Sequence, residues 1–279
     1  MAFLEKMRAD AAGAVPLWLD DADYTGVLLA GGMPPWLDVS ACVAWRRKAQ
    51  NLLHSDVVML PLGALIDAFV ERRAALLGAM RAGRRRLHPL KTLLAEPALH
   101  AHMVELSQAL RMSFADAPFA LSCPSPRLLA ADCARMAFGG DAGELSDDDI
   151  DVAAVHTAGF LRELGEVGFD AVLLVESGDT EPVDAASAML YQPVINVAAH
   201  YRWDIGLLAP QGRFCGADPL FVIAPQIGST DATAGRLVAE DFWRGVPPPA
   251  CAPGGFRYAI VPPTAPPETV LGRLAFLRQ

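Results

Sequence analysis

The sequence predicts an α/β protein whose parallel sheet closes into a (β/α)8 TIM-like barrel, with one unit shortened or irregular. Three observations predict it. Short apolar runs recur along the chain, segments of helical period separate them, and 279 residues suffice for one large α/β domain or two small ones. The most informative stretch is Phe169–Asp179, FDAVLLVESGD. Ala171–Val175 is too short for a helix and apolar throughout, which is the pattern of a strand buried on both faces. It ends in Glu176, Ser177 and Asp179, and chemistry in α/β folds sits at the carboxyl ends of parallel strands.

In chain order, strands are expected at Val15–Leu19, Asp56–Leu60, Phe119–Cys123, Ala171–Val175, Ile205–Ala209, Leu220–Ala224 and Phe256–Val261. Apolar residues at i, i+3, i+4 and i+7 mark helices at Val43–Leu53, Leu65–Arg81, Pro97–Arg111, Arg127–Phe138, Val152–Val167, Ala185–Tyr201, Ala234–Trp243 and Glu268–Leu277. Ser146 and Asp147 suit an N-cap, and the acidic run Asp147–Asp149 suits the positive end of the helix that follows. Seven strands are clear. Tyr191–Ala199 is open to two readings: an eighth strand on Val194, Ile195 and Val197, or a helix on Met189, Leu190, Ile195, Ala198 and Tyr201. The helix is preferred. Pro247–Pro249 and Pro262–Pro267 read as loops between patterned segments.

Composition sets further bounds. Hydrophobic residues make up 53% and charged residues 20%, which provides for a sizeable core. A net charge of −9 argues against a nucleic-acid footprint. The local basic cluster of Arg81, Arg84, Arg85, Arg86, His88 and Lys91 reads either as a solvated helix end or as a clamp for an anionic ligand. No apolar run approaches the ~18–20 residues that cross a bilayer. The first residues, MAFLEKMRADAAG, lack the unbroken apolar stretch of a signal peptide. The five cysteines are odd in number and lack a CxxC spacing, which fits reduced thiols in a cytoplasmic protein.

Several segments resemble the uroporphyrinogen decarboxylase superfamily, which also includes cobalamin-independent methionine synthases and corrinoid-linked methyltransferases. Val15–Tyr24 (VPLWLDDADY) stands where that family opens its barrel, and His54–Ile66 is similar to its second strand and turn. Pro118–Leu129 (PFALSCPSPRLL) resembles its third strand and helix start. Leu161–Ser177 is similar to its AGADAVQIFDS strand, and Gly216–Gln226 (GADPLFVIAPQ) resembles GADVLSVDW. Phe256–Leu277 keeps the Thr-x-Pro-Pro-Glu spacing before the closing helix. The resemblance implies a single barrel domain over residues 1–279, a small-molecule substrate and a homodimer.

The departures from the family are chemical. Its arginine-rich first loop reads Asp20, Asp21, Asp23 and Tyr24 here, and acidic groups cannot clamp carboxylates. The aspartate after its second strand is replaced by apolar Pro61–Leu65, and its late histidine by Pro262 and Pro263. The His-x-Cys zinc ligands of the methyltransferases are replaced by GLLAP at Gly206–Pro210, so no metal and no cofactor is expected.

What remains is a set of polar groups at strand ends. Glu176, Asp20, Tyr24 and His88 are the candidate acid/base residues: carboxylates to take a proton, and a phenol or imidazole to return it. Asp23, Trp18, Arg84, Arg86, Ser122, Cys123, Asp179 and Gln226 are candidate substrate contacts. Each has a plainer alternative: a helix cap or solvated loop for the first acids, and a small core residue for Cys123. His200, Tyr201, Arg202 and Trp203 fall at the opposite end of a barrel and read as structural. The leading expectation is a metal-independent carbon–carbon lyase, decarboxylase-like or aldehyde-eliminating, on a small and plausibly aromatic substrate. The alternatives are a methyltransferase of the corrinoid or methionine-synthase type, or a binding barrel without catalysis.

Overall fold

Strands form where apolar side chains can serve two faces at once. The computed structural model describes residues 2–11, 13–140, 143–177, 188–210, 213–214, 220–227 and 234–279. Eight strands make one sheet: β1 (Leu17–Asp20), β2 (Val58–Pro61), β3 (Phe119–Pro124), β4 (Ala171–Val175), β5 (Asp204–Leu208), β6 (Leu220–Ala224), β7 (Gly235–Leu237) and β8 (Phe256–Ile260). Their order is β1-β8-β7-β6-β5-β4-β3-β2, and every pairing is parallel. Alternation explains the continuous burial of β4. Ala171 and Leu173 enter the ring interior, while Val172 and Leu174 meet the helices.

The ring closes between β1 and β2 without a strand ladder. Asp56 N–H donates to Leu17 O at 2.8 Å, Leu17 N–H donates to Asp56 Oδ2 at 2.7 Å, and Leu19 N–H donates to Ser55 Oγ at 3.0 Å. Arg278 holds the same Asp56 carboxylate at 2.8 Å. The result is a nearly closed α/β barrel with helices between the strands.

The helices are α1 (Ala2–Asp10), α2 (Ala22–Ala30), α3 (Val39–Leu53), α4 (Leu62–Glu71), α5 (Ala74–Ala82), α6 (His88–Leu94), α7 (Pro97–Ser113), α8 (Pro126–Phe138), α9 (Asp147–Arg162), α10 (Gln192–Tyr201) and α11 (Pro267–Leu274). Ser146 caps α9 reciprocally with Asp149, and Asp147–Asp149 fill its first turn, as the sequence predicts. The contested segment is helical, as α10. The stretch expected as one helix over Leu65–Arg81 is two. α4 ends at Glu71, and Arg73, the N-cap residue of α5, stacks 3.5 Å above the Phe69 ring and donates to the Phe69 carbonyl at 3.1 Å.

One element is of a different type from the expectation. Ala234–Trp243 has a helical apolar period, yet it contains β7 and a 3-10 turn at Glu240–Arg244. A ring needs an eighth strand there, and three residues are too few to show alternation. α1, α2 and α6 are also absent from the sequence reading.

The ring interior is filled by aromatic side chains. Trp18 meets Phe3 at 5.3 Å and Tyr258 at 5.5 Å between ring centroids, and Phe221 meets Phe256 at 6.1 Å. Phe3 comes from α1, which closes the amino-terminal end of the barrel: Phe3 N–H donates to Asp204 at 3.0 Å and Lys6 reaches Asp170 at 3.2 Å. Two glycines make room for the rings. A Cβ on Gly206 would stand 2.2 Å from Phe221, and one on Gly235 would stand 2.4 Å from Phe256. Gly206→Ala should therefore destabilise the protein by about 1–3 kcal/mol in urea unfolding. Adding Phe221→Leu should recover part of that loss, and an unchanged midpoint for Gly206→Ala would contradict this account of the packing.

Candidate active site

β1 carries its residues to alternate faces. Leu17 and Leu19 meet the outer helices, while Trp18 belongs to the ring interior, and Asp20 continues that inner row at the carboxyl end. Asp20 keeps part of its surface accessible. β8 pairs with β1 in register, Trp18 beside Tyr258 and Asp20 beside Ile260. From one level below, the Tyr258 hydroxyl donates to Asp20 Oδ2 at 3.2 Å, and Met59 Sδ lies 4.0 Å from that Tyr258 hydroxyl. Burial raises the Asp20 carboxyl from 3.8 to about 6, with the charges of Asp21 and Asp23 adding to the rise. The Tyr258 bond and the Arg46 charge oppose it. Burial and the neighbouring Asp20 hold the Tyr258 phenol well above its ordinary value, so it stays a neutral donor. This arrangement can hold or release one proton near neutral pH, over an apolar floor.

Glu176 is seated differently. It follows Val175, whose side chain faces the interior, so Glu176 turns toward the helices. It is 3% exposed and accepts a hydrogen bond from the hydroxyl of Tyr191, the residue that begins α10. Burial raises its carboxyl; Tyr191, Arg127 and Ser125 oppose the rise. Ser125 is also the N-cap of α8, accepting from Leu128 N–H at 3.2 Å. Glu176 thus ties the end of β4 to the start of α10.

The remaining expected residues divide by face. Trp18 lies in the interior as the floor beneath Asp20, and Ser122, beside Leu173 in register, belongs to the same row. Asp23 is exposed in the first turn of α2. Tyr24 is a correction: the phenol beside Asp20 is Tyr258, because Tyr24 sits among Leu17, Leu19, Val270 and Leu274 on the outer side. Cys123 is a second correction. It is fully buried in the helix-side core, where burial pushes its thiol up to about 12. His88 lies in the helical layer, its Nε2 3.0 Å from Ala79 O and 3.3 Å from Thr92 Oγ1. Arg86 binds the Glu144 carbonyl and reaches Asp149 at 3.8 Å, so Arg84 and Arg86 lie on the α5–α6 turn among outer helices. Asp179 and the Gln226 side chain fall outside the described residues.

Two features of the site escape the sequence. Tyr258 stands in an apolar strand, and its closeness to Asp20, 238 positions away, exists only through ring closure. Asp21 and Arg46 form a buried ion pair at 2.9 Å, joining the end of β1 to α3. Alternation in Phe256–Ile260 could have put Tyr258 on the interior face; nothing local names its partner. Among the described residues, no three His, Cys, Asp or Glu side chains converge as a metal-binding group.

The raised Asp20 carboxyl has a thermodynamic sign. A group that binds its proton more tightly when folded stabilises the fold below its unfolded pKa, and that contribution is lost as pH rises through the folded value. A rise from 3.8 to about 6 corresponds to about 3 kcal/mol. Asp20→Asn should therefore gain about 2 kcal/mol over the wild type between pH ~4 and pH ~7, measured by urea unfolding at each pH. A stability difference independent of pH would remove Asp20 from this role.

No protein-family model and no curated protein matches the chain. Among solved structures, the chain is similar to a methyltransferase from Methanosarcina mazei. The two share 15% identity over 98% of this chain and 97% of that one, with a TM-score of 0.59. That likeness is one of fold.

Proposed function

We propose that the barrel is an acid–base enzyme, a lyase acting on a small organic substrate at the carboxyl end of β1, with Asp20 moving the proton. The observation that supports this reading is the Asp20–Tyr258 contact of 3.2 Å inside the ring, with the Asp20 carboxyl raised to about 6. Perturbed groups of this kind concentrate where chemistry occurs. Near neutral pH such a carboxyl is present in both forms, the condition under which general acid–base transfer is most effective.

In this reading Tyr258 holds Oδ2 and Oδ1 takes the substrate. When a carbon–carbon bond breaks and its electron pair stays on the retained fragment, protonated Asp20 supplies the proton to that carbon. The carboxylate left behind keeps the Tyr258 hydrogen bond and regains a proton from water. Trp18 forms an apolar floor that limits solvent around the developing charge. Asp20 takes this role in preference to Glu176 because Glu176 is buried in the helical layer, whereas Asp20 lies on the inner row and keeps part of its surface accessible.

Asp20→Asn should lower kcat/KM for an identified substrate by ~10²–10⁴-fold, while Glu176→Gln should retain turnover within a few-fold in protein that remains folded. The reverse order of effects would move the proton-transfer role to Glu176. The second reading, methyl transfer, draws support from the barrel shared with the Methanosarcina mazei methyltransferase. Metal analysis of the purified protein with a thiol-methylation assay separates the two. Stoichiometric zinc together with methyl transfer would favour the second reading over the lyase.

A further inference from the structure

Three carboxylates crowd the end of β1. Asp20 faces the ring interior, Asp21 stands at the N-cap of α2, and Asp23 lies in the first turn of that helix. The groups whose charge or hydrogen bonding acts on Asp20 are Asp21 and Asp23 beside it, Tyr258 from β8 and Arg46 from α3. Arg46 is the cation of this set. It is 5% exposed, and its Nη2 donates to Asp21 Oδ1 at 2.9 Å. Its Nε and Nη1 are buried without a hydrogen-bond partner among the described residues.

The surroundings hold the guanidinium in place. Arg46 lies 5.3 Å from the Trp45 ring centroid, and Trp45 Nε1 donates to Thr25 O at 3.1 Å, fastening α3 to α2. Thr25 in turn gives its N–H and its hydroxyl to Asp21 O, each at 2.8 Å. A buried ion pair with two donors unmet is a poor stabilising device, because desolvation of the charges is only partly returned. Its charge, however, is weakly screened in such a place and reaches a neighbouring carboxyl.

We propose that Arg46 is a positioning residue: paired with Asp21, it fixes the end of β1 and supplies the positive field against which Asp20 takes up and releases its proton. The consequence for turnover rests on the acid–base reading given above, but the proton affinity itself does not. The pair leaves one carboxylate balanced and the other free to titrate. Without Arg46, Asp21 would become an unbalanced negative charge one residue from Asp20.

The test is the titration of Asp20 in the ligand-free full chain, followed by carboxyl carbon NMR and assigned by the signal lost in Asp20→Asn. Arg46→Met should raise the Asp20 midpoint by about one unit, about tenfold in proton affinity. Asp21→Asn should lower it, and Arg46→Lys should restore most of the wild-type value. A folded Arg46→Met whose midpoint stays at the wild-type value overturns the proposal. If Arg46→Met does not fold, the double variant Asp21→Asn/Arg46→Met, which removes both charges of the pair, is compared with Asp21→Asn alone: a higher midpoint in the double variant supports the field, and an equal or lower one overturns it. The two readings fail separately. Midpoints that move as expected while Asp20→Asn keeps full turnover preserve the positioning role and reject the lyase, whereas fixed midpoints reject the positioning role whatever the turnover.

Discussion

A ring of parallel strands has an inside that water cannot be allowed to fill, and the rest of this structure depends on how that space is occupied. Trp18, Phe221, Phe256, Tyr258 and Phe3 occupy it. These rings are large, so the strands beside them give up side chains, and Gly206 and Gly235 stand where any Cβ would strike an aromatic ring. The filling extends below the strands, where α1 inserts Phe3 and anchors on Asp170 and Asp204. Dense packing of this kind tolerates little change in volume. It also leaves Asp20 with few means of solvation, which is the main cause of its raised carboxyl.

Closure of the ring places the chemistry. β1 meets β8 through a regular ladder on one side and residues 55–56 through one backbone bond and two side-chain bonds on the other. The seam therefore brings the first strand against the last. Asp20 acquires a phenol from β8 and, through Asp21, a buried cation from α3. Each of these groups is ordinary alone. Their effect comes from sharing a small, poorly hydrated volume, where burial outweighs any single neighbouring charge.

Much of the fold was legible in the residues, because a buried strand and an amphipathic helix leave distinct periods. Ala171–Val175 and Leu220–Ala224 coincide with β4 and β6 to the residue, and α10 takes the helical reading of its contested segment. The failures have physical causes. β7 has three residues, too few for a period, and its neighbours Ala234, Leu237, Val238 and Phe242 mimic a helix face. A break at Arg72 and Arg73 divides a continuous helical pattern, and periodicity cannot register the Arg73 contact with Phe69. Asp20 and Trp18 share the inner face of β1, whereas Tyr24 stands near Asp20 only in sequence. The two side chains in fact lie on opposite sides of the strand wall.

By itself, the sequence determined that apolar runs of strand length alternate with amphipathic helices, that the sheet is parallel and covered, and that carboxylates gather at strand ends. These are local consequences of side-chain period and solvation. The tertiary structure alone decided which carboxylate meets which partner. Glu176 and Asp20 each follow or end an apolar strand, but the parity of the pleat sends one to Tyr191 among the helices and the other to Tyr258 in the ring. A shift of one residue exchanges the faces of a strand, and a partner 238 positions away is fixed only when the ring closes.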